Sequence, residues 1–263
     1  MMQQYFEIKE KYKEYILMYR LGDFYEMFFD DAKIAAKELE LVLTGRDCGE
    51  EERAPMCGVP YHAVDGYIGK LVSHGYKVAI CEQMEDPSLA KGIVKRDVVR
   101  MITPGTLTES SLLDEKKNNY ICAVYLGDGA VGVSFADIST GSLSATEFSG
   151  SDMMSRLFGE MGVYAPREVV INTAASGLGE IETFLRERLG CTINENQEAR
   201  FSGEDAKREA LSRFAGEAVP AEFNDENDPA LKAVGALISY ALETQKNDLS
   251  NLRSLNFYRE GQY

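Results

Sequence analysis

An aromatic ring and a carboxylate stand two residues apart near the N-terminus of this chain, at Phe24 and Glu26. They follow Gly22-Asp23, a pair of residues that is typical of a chain reversal. The residues that follow have the pattern of a helix, and its positive end would lie at this pair. A large apolar side chain beside a charged one is unusual in water at such a place. Because side chains in the first turn of a helix tilt toward its N-terminus, both residues can project from the same end and contact one ligand.

The elements that would position this pair are a strand and a helix. Residues 15–20 are mostly apolar and contain Tyr and Ile, which predicts a buried strand before the turn at Gly22. From Tyr25 onward, apolar residues recur every three or four positions, which predicts an amphipathic helix. Asp23 and Glu26 then have the spacing of a capping box, so Glu26 also has a purely structural interpretation, in which it bonds back to the backbone of the cap residue.

Longer motifs surround this pair in a fixed order. They are GDFYEMF at residues 22–28, DDAKIAAKELELVLT at 30–44, PMCGVPYHAVDGYIGKLVSHGYKVAICEQMEDP at 55–87 and VVRMITPGTLTE at 98–109. In this order and spacing they resemble the N-terminal part of the MutS family of DNA mismatch repair proteins. The resemblance implies that Phe24 is the aromatic wedge that enters the duplex from the minor groove. It also implies that Glu26 is the carboxylate that hydrogen-bonds the mispaired base.

The charge balance limits how this chain can bind DNA. Its formal net charge is −15, and nonspecific binding to phosphates depends on Lys and Arg. Residues 1–110 contain 14 Lys and Arg against 19 Asp and Glu, whereas the rest of the chain contains 14 against 24. The composition therefore argues against a protein that coats DNA nonspecifically, and any DNA-binding face has to be local.

Five cations in the first 110 residues are candidate contacts to the DNA backbone. They are Arg46, Arg53, Lys95, Arg96 and Arg100. The first two lie in a charged loop predicted for residues 45–55, close to the recognition turn. The other three belong to a strand predicted within residues 92–103, where Arg96 and Arg100 would share one face. Each cation also has the ordinary interpretation of solvated surface charge.

The pattern of elements predicts an α/β protein with two domains and the start of a third. Residues 1–108 predict a mixed α/β domain, which the resemblance implies is the mismatch-recognition domain. Residues 109–119, rich in polar and charged residues, predict a linker. Residues 120–225 begin with three antiparallel strands and continue with alternating helices and strands. That order is typical of the ribonuclease H-like fold, which the connector domain of the MutS family resembles. Residues 226–263 begin with a capped helix, and the resemblance assigns them to the start of a truncated helical core and lever domain.

We expect no catalytic site. A ribonuclease H-like nuclease needs several carboxylates around divalent ions, but residues 120–126, the predicted first strand, contain none, and Asp137 stands alone. The pair Gly69-Lys70 lacks the G-x-x-x-x-G-K-[ST] frame of a phosphate-binding loop. The resemblance implies that ATP and Mg²⁺ belong to a C-terminal ATPase domain beyond this sequence. We therefore expect an N-terminal piece of such a protein, with no cofactor of its own.

The five cysteines include no C-x-x-C pair, and only His62 and His74 are available to complete a zinc site. We therefore expect reduced thiols, no metal and a cytosolic location. The resemblance implies the bacterial cytosol, in association with the nucleoid. No run of about 18 apolar residues is present, so we expect no membrane segment.

The resemblance also implies partners. These are mismatched double-stranded DNA, a MutL-type repair protein that docks on the connector domain and, for the full-length protein, a second copy in a homodimer. The present chain alone is expected to be a monomer. An alternative from a different class is a protein-interaction module, in which the acidic connector surface docks repair partners and the first domain only positions it.

Overall fold

The computed structural model describes six long stretches and several short ones. These are residues 1–47, 53–86, 92–107, 118–195, 197–202 and 227–246, with 204–205, 208–209, 212, 214, 225, 249–250, 252 and 254–258. The chain forms two compact units, Met1–Pro104 and Gly105–Tyr263. Most of the predicted linker, residues 109–119, lies outside the described residues. Each unit combines helices with one six-stranded sheet, which confirms the predicted α/β class.

The first unit is a mixed sheet with helices on both faces. Its elements are α1 Met2–Lys11, β1 Tyr15–Leu21, β2 Phe24–Phe28, α2 Phe29–Leu39, β3 Thr44–Arg46, β4 Ala54–Pro60, the 3₁₀ turn Tyr61–Ala63, α3 Val64–Ser73, β5 Lys77–Gln83 and β6 Arg96–Ile102. The strands lie in the order β3-β4-β2-β1-β5-β6. Only β1 and β5 are parallel, because α2, β3, β4 and α3 separate them in the chain.

Side chains of the central strands alternate between the two faces of the sheet, and different helices cover each face. Leu17 and Tyr19 of β1 and Phe28 of β2 pack with Tyr5 and Ile8 of α1 on one face. On the other face, α2 and α3 lie against the sheet. Each face of the sheet is therefore buried over most of its length, and the turn between β1 and β2 is left at an end of the sheet.

The prediction that a helix starts at Tyr25 is wrong for its first turn. Residues 24–28 form strand β2, which pairs with β1 on one side and β4 on the other. Tyr25 and Phe28, predicted to share a helical stripe, therefore face opposite sides of the sheet. Strand pairing on both sides outweighs an apolar spacing that fits a helix as well as a strand. The helix begins at Phe29 instead, and its buried residues Ala32, Ala35 and Leu39 confirm the rest of the stripe.

Two further differences concern the segment after α2. A strand predicted over residues 41–44 is instead the short β3, Thr44–Arg46, and Val42 and Leu43 are exposed. The first and last residues of the predicted loop 45–55 belong to β3 and β4, and residues 48–52 lie outside the described part of the chain. Pro55 and Pro60 argue against a paired strand in the sequence, which is why β4 was not predicted.

The second unit contains the strand order expected of a ribonuclease H-like fold. Its elements are β7 Tyr120–Gly127, β8 Ala130–Asp137, β9 Ser142–Ser149, α4 Met153–Tyr164, β10 Glu168–Ile171, α5 Thr173–Ser176, α6 Gly179–Thr183 continued by a π-helix over Phe184–Leu189, β11 Thr192–Asn194, a 3₁₀ turn Glu198–Phe201, α7 Pro229–Gln245 and β12 Ser254–Phe257. The sheet order is β11-β10-β7-β8-β9-β12. The three strands β7 to β9 form the predicted antiparallel meander, and β10 and β11 add in parallel beside β7.

Helix α7 lies in the core of this second unit. Asp228 caps it by accepting a hydrogen bond from the backbone N–H of Leu231 (2.9 Å), and Pro229 is its first residue, as the sequence predicts. Its buried residues pack with those of β7 and β8. The strand β12 then pairs with β9 of the same sheet. Residues 226–263, predicted to start a separate helical domain, therefore complete the second unit as far as they are described.

The close approach of α7 to the sheet depends on Gly132 of β8. A Cβ atom at this position would lie 2.0 Å from the carbonyl oxygen of Pro229. We expect Gly132→Ala to lower the free energy of unfolding by about 1–3 kcal/mol, as overpacked cores do. Gly159→Ala is the matched control, because that glycine lies in α4 with open space around it. Alanine there should raise the free energy of unfolding by about 0.5–1 kcal/mol. Urea unfolding of both variants measures the difference, and equal midpoints would contradict it.

No helix in the described part of the chain is long and apolar enough to span a membrane.

Candidate nucleic-acid interface

Phe24 and Glu26 project from the same face of strand β2. Phe24 pairs with Leu21 of β1 and Pro60 of β4, and Glu26 pairs with Tyr19 and Gly58. Residues two apart on a strand point to the same side and lie roughly 6.8 Å apart. The prediction that both leave the end of a helix is therefore wrong. The alternation of the strand nevertheless places both side chains on one face, and their contact with one ligand stays a prediction.

The aromatic ring at this site is exposed. Phe24 is 46% exposed, whereas Phe28, on the same strand and the same face, is fully buried. The difference arises because Phe28 lies under α1, where its ring contacts that of Tyr5 at 5.1 Å between centroids. Phe24 is at the end of the strand beside the turn. The interpretation of Phe24 as a core residue is therefore wrong.

The surface between the two side chains is kept open by Gly58. A Cβ atom there would lie 3.7 Å from Cδ1 of Phe24 and 3.5 Å from Cγ of Glu26. It would also lie 3.2 Å from the carbonyl oxygen of Tyr25, which is tighter than ordinary packing. Any larger side chain at position 58 would stand between the ring and the carboxylate. The glycine thus leaves room for a flat group to contact both.

Arg20 fixes the turn that carries Phe24. Its Nε donates to the carbonyl of Gly22 (2.6 Å), and its guanidinium lies 4.0 Å from the ring centroid of Tyr61. The backbone N–H of Tyr61 in turn donates to the carbonyl of Asp23 (3.0 Å). Gly22 has a φ of +57°, which glycine adopts without strain. Both carbonyls of the turn are therefore held, and Phe24 leaves a backbone whose position is fixed before any ligand binds.

A buried tyrosine hydroxyl supports the opposite face of β2. Tyr25 donates a short hydrogen bond to the carboxylate of Glu82, which also lies 3.7 Å from Nη1 of Arg20. Burial, and then the bond to Glu82, raises the pKa of Tyr25 to about 12. The hydroxyl therefore stays protonated at physiological pH and remains a donor. The bond ties β2 to β5 behind the exposed pair.

We expect Arg20→Ala to loosen this turn. Loss of the guanidinium removes a charge-assisted hydrogen bond and a cation–π contact. Amide hydrogen exchange should become faster at Tyr61, whose N–H donates to the carbonyl of Asp23 in this turn, and stay unchanged in β8 of the second unit. Arg53→Ala, which removes an exposed arginine of the same unit, is the control and should leave the turn unaffected. Unchanged exchange at the turn in Arg20→Ala would show that other contacts fix it.

Glu26 is paired with Arg46. Nη1 of Arg46 lies 2.5 Å from Oε2 of Glu26, and the two side chains are 36% and 17% exposed. The capping-box interpretation of Glu26 is wrong, because this residue lies in a strand and the first turn of α2 starts three residues later. The first turn of α2 has its own acidic residues, Asp30 and Asp31. The role of Glu26 is therefore not to cap a helix.

The remaining candidate cations differ in exposure. Arg53 and Lys95 are exposed, and the backbone N–H of Lys95 donates to Oε1 of Glu85 (2.7 Å). Both positions are suited to phosphate contact, which stays a prediction.

The predicted shared face of Arg96 and Arg100 is wrong. A β-bulge between Ile80 and Cys81 shifts the register of β6, so the two arginines point to opposite sides. Arg96 is buried, and its guanidinium donates to the carbonyls of Arg20 and Val94 (both 2.9 Å). It is a structural residue beneath the turn rather than a surface cation.

Arg100 lies half-buried on the side of the sheet opposite Arg96. Burial lowers the pKa of its guanidinium, and the charge of Asp65 on α3 and the hydroxyl of Tyr25 oppose that shift. Arg100 therefore lies partly within the first unit rather than fully on its surface.

No group of three His, Cys, Asp or Glu side chains is placed to hold a metal ion among the described residues. Cys57, Cys81, Cys122 and Cys191 are buried thiols, as predicted, and Cys48 lies outside the described residues. Asp137 is 1% exposed, and its Oδ1 accepts hydrogen bonds from the backbone and hydroxyl of Ser139 (2.9 and 2.6 Å). This aspartate closes the turn after β8.

Comparison with known proteins agrees with the resemblance. The family model described as MutS domain I matches residues 1–111, and that of MutS domain II matches residues 119–253. The whole chain is 47% identical to the DNA mismatch repair protein MutS of Ruminiclostridium cellulolyticum and to that of Acetivibrio thermocellus, covering 30% of each. It is 49% identical, over 98% of its length, to that of Alkaliphilus oremlandii, again covering 30%. The chain thus spans about a third of the length of these relatives, and it belongs to the MutS family.

Proposed function

We propose that residues 1–104 recognise mispaired bases in double-stranded DNA, with Phe24 as the wedge and Glu26 as the hydrogen-bonding group. The observation that carries this proposal is the placement of an exposed aromatic ring and a carboxylate on one face of β2, with the bare backbone of Gly58 between them. The relatives are named as DNA mismatch repair proteins, and membership in the family supports the same role here.

The wedge acts by replacing base stacking. An apolar side chain inserted from the minor groove unstacks a base step and kinks the duplex, at a cost of a few kcal/mol. A mispaired step costs less to open than a paired one, and stacking of a base on an aromatic ring returns about 1–3 kcal/mol. Phe24 is suited to this because its turn is held by Arg20 and Tyr61 before binding. The ring therefore enters without an additional ordering cost.

The carboxylate supplies discrimination. A negative charge in a groove lined by phosphates is repelled, and a hydrogen bond that a base donates to it offsets that repulsion. A paired base uses its polar edge within the pair, whereas a mispaired base can offer a donor to Glu26. The repulsion is present on every duplex and the hydrogen bond only at a mispair. Glu26 thus weakens binding to matched DNA more than binding to mismatched DNA.

Phosphate contacts position this unit without reading sequence. Arg53 and Lys95 are the exposed candidates for such contacts. Because the net charge of the chain is −15, we propose that the 263-residue chain alone binds DNA weakly and as a monomer. The full-length family protein is proposed to hold DNA as a homodimer, which gains affinity from linked contacts. Nanomolar binding by the chain alone, or a stable dimer in sedimentation, would contradict this.

A fluorescent adenine analogue next to the mispair tests the wedge. Its emission rises when the base is unstacked, so binding to a mismatched duplex should raise it. The same protein on a matched duplex should raise it less, and Phe24→Ala should abolish the difference. An equal rise on both duplexes, or an unchanged rise with Phe24→Ala, would overturn the proposal. The protein should have the length of its relatives and carry residues 1–263, so that binding is measurable.

We propose that this chain has no catalytic activity of its own, and that ATP and Mg²⁺ bind elsewhere in the full-length family protein. The family models that match it are those of domains I and II. Neither ATP hydrolysis nor Mg²⁺-dependent nicking of DNA is expected from the 263-residue chain. ATP turnover above buffer, or nicking that Asp137→Asn abolishes, would be the contrary result.

The second unit is proposed to dock a MutL-type repair partner, in the cytosol beside the chromosome. Interaction alone would be the function if the first unit only positioned the second. The exposure of Phe24 favours DNA recognition over that alternative, because a unit that serves only as a spacer gains nothing from a large apolar side chain in water.

A further inference from the structure

The ion pair between Glu26 and Arg46 joins two strands that are not neighbours. Glu26 is on β2 and Arg46 on β3, and β4 lies between them. The residues of β4 opposite Arg46 and Glu26 are Ala54 and Gly58. Neither carries a side chain longer than a methyl group, and Met56, which lies between them on the same face, packs against the core cluster that contains Phe28. The guanidinium also lies 6.0 Å from the ring centroid of the buried Phe28, so the arginine side chain extends over the same face of the sheet.

The two oxygens of the Glu26 carboxylate have different surroundings. Oε2 accepts the hydrogen bond from Nη1 of Arg46. Oε1 receives no hydrogen bond from any residue that the structure describes. A carboxylate held through one oxygen has a fixed orientation and keeps the lone pairs of the other oxygen for a ligand. The pair therefore presents one prepared acceptor on the face that carries Phe24.

We propose that Arg46 is a positioning residue for mismatch recognition: it holds Oε2 of Glu26 so that Oε1 can accept a hydrogen bond from the mispaired base. This inference rests on the proposed function of Glu26. It differs from the prediction that Arg46 contacts a phosphate, because it assigns a role to the hydrogen bond that the guanidinium donates to the carboxylate on the recognition face.

The pairing has two physical consequences for binding. A glutamate side chain loses rotamer freedom when it is ordered, and Arg46 removes that freedom before DNA arrives. The positive charge also offsets the carboxylate, which reduces its repulsion from the phosphates of any duplex. The first effect favours mismatched DNA only, because only there does Glu26 form a hydrogen bond. The second effect applies to both duplexes alike.

A double-mutant cycle on binding tests the proposal, in a protein of the relatives' length that carries residues 1–263. Arg46→Ala should weaken binding to both duplexes. It should also lower the ratio of mismatched to matched affinity by on the order of tenfold, because the carboxylate that accepts the hydrogen bond from the base is no longer held in place. In the Glu26→Gln background, where the carboxylate is absent, Arg46→Ala should leave that ratio nearly unchanged. Arg46→Lys should restore part of the ratio, since an ammonium can still bond one oxygen.

The salt dependence separates positioning from phosphate contact. Loss of a phosphate contact reduces the slope of log K against log salt by about 0.9. We expect that reduction for the control Arg53→Ala, which removes the same charge from an exposed position, if it contacts a phosphate as predicted. Arg46→Ala should leave the slope unchanged. A reduced slope with an equal loss of affinity on both duplexes would overturn the proposal and assign Arg46 to the backbone.

Each failure has its own signature. If Glu26→Gln alone leaves the ratio unchanged, the proposed function of Glu26 fails and the positioning role of Arg46 fails with it. If Glu26→Gln changes the ratio but Arg46→Ala does not, only the positioning role fails. Should Arg46→Ala lower the melting temperature of the first unit, Arg46→Met replaces it, because a long apolar side chain keeps the packing but cannot donate to Oε2. A change in the ratio that persists in the Glu26→Gln background also contradicts the proposal.

Discussion

Phe24→Ala should lower the affinity for mismatched duplex by about 1–3 kcal/mol, the value of one stacked base, and change the affinity for matched duplex much less. A mispaired step costs less to open for the ring than a paired step. The free energy of unfolding should stay nearly constant, because the ring is 46% exposed. Fluorescence anisotropy on the two duplexes, with urea unfolding of the same preparations, measures both quantities.

Phe28→Ala is the matched control for this variant. Phe28 lies on the same strand and the same face but is fully buried beneath α1. Its truncation should cost about 3–5 kcal/mol of stability. If Phe24→Ala unfolds the first unit as Phe28→Ala does, Phe24 belongs to the core. If it keeps wild-type discrimination, the wedge assignment fails although the family assignment stands.

Glu26→Gln should tighten binding to matched duplex by several-fold to tenfold and so erode discrimination. The variant removes the negative charge that phosphates repel, and it also releases Arg46 from its ion pair, which allows the guanidinium to approach the backbone. Each factor of ten in affinity corresponds to about 1.4 kcal/mol. Stability should change by less than about 1 kcal/mol, as is usual for a partly exposed ion pair.

The measurement for this variant is the ratio of the two affinities, with the melting temperature as control. Glu26→Asp is a useful second variant, because it keeps the charge but is one methylene too short to reach both Arg46 and a base. It should lose affinity for mismatched DNA without gaining any for matched DNA. A Glu26→Gln protein that discriminates as well as the wild type would remove Glu26 from the recognition site.

Local patterns predicted those elements whose signals lie within a few residues. The sequence predicts the cap at Asp228, the proline in the first turn and the periodicity of α7, and the structure confirms all three. The three-stranded meander was also predicted, because strands of alternating apolar residues are joined there by tight turns. The place of α7 in the core of the second unit was not predicted, since no local signal states what a helix packs against.

The motif identifies the candidate recognition residues Phe24 and Glu26 but not their geometry. Residues 24–28 fit both a helix and a strand, and only pairing with β1 and β4, which is nonlocal, decides between them. The ion pair of Glu26 and Arg46 spans twenty residues of sequence and an intervening strand. A β-bulge of one residue was enough to separate Arg96 from Arg100. Sequence spacing contains no information on these three features.

The most direct test of mismatch recognition is the affinity of a protein that carries residues 1–263, at the length of its relatives, for two duplexes that differ by one mispair. The measurement is made at two salt concentrations. We expect tighter binding to the mismatched duplex at both, with parallel slopes of log K against log salt, because phosphate contacts are the same and Phe24 and Glu26 supply the difference. Equal affinity for the two duplexes, or a preference that disappears as salt rises, would contradict recognition by this site.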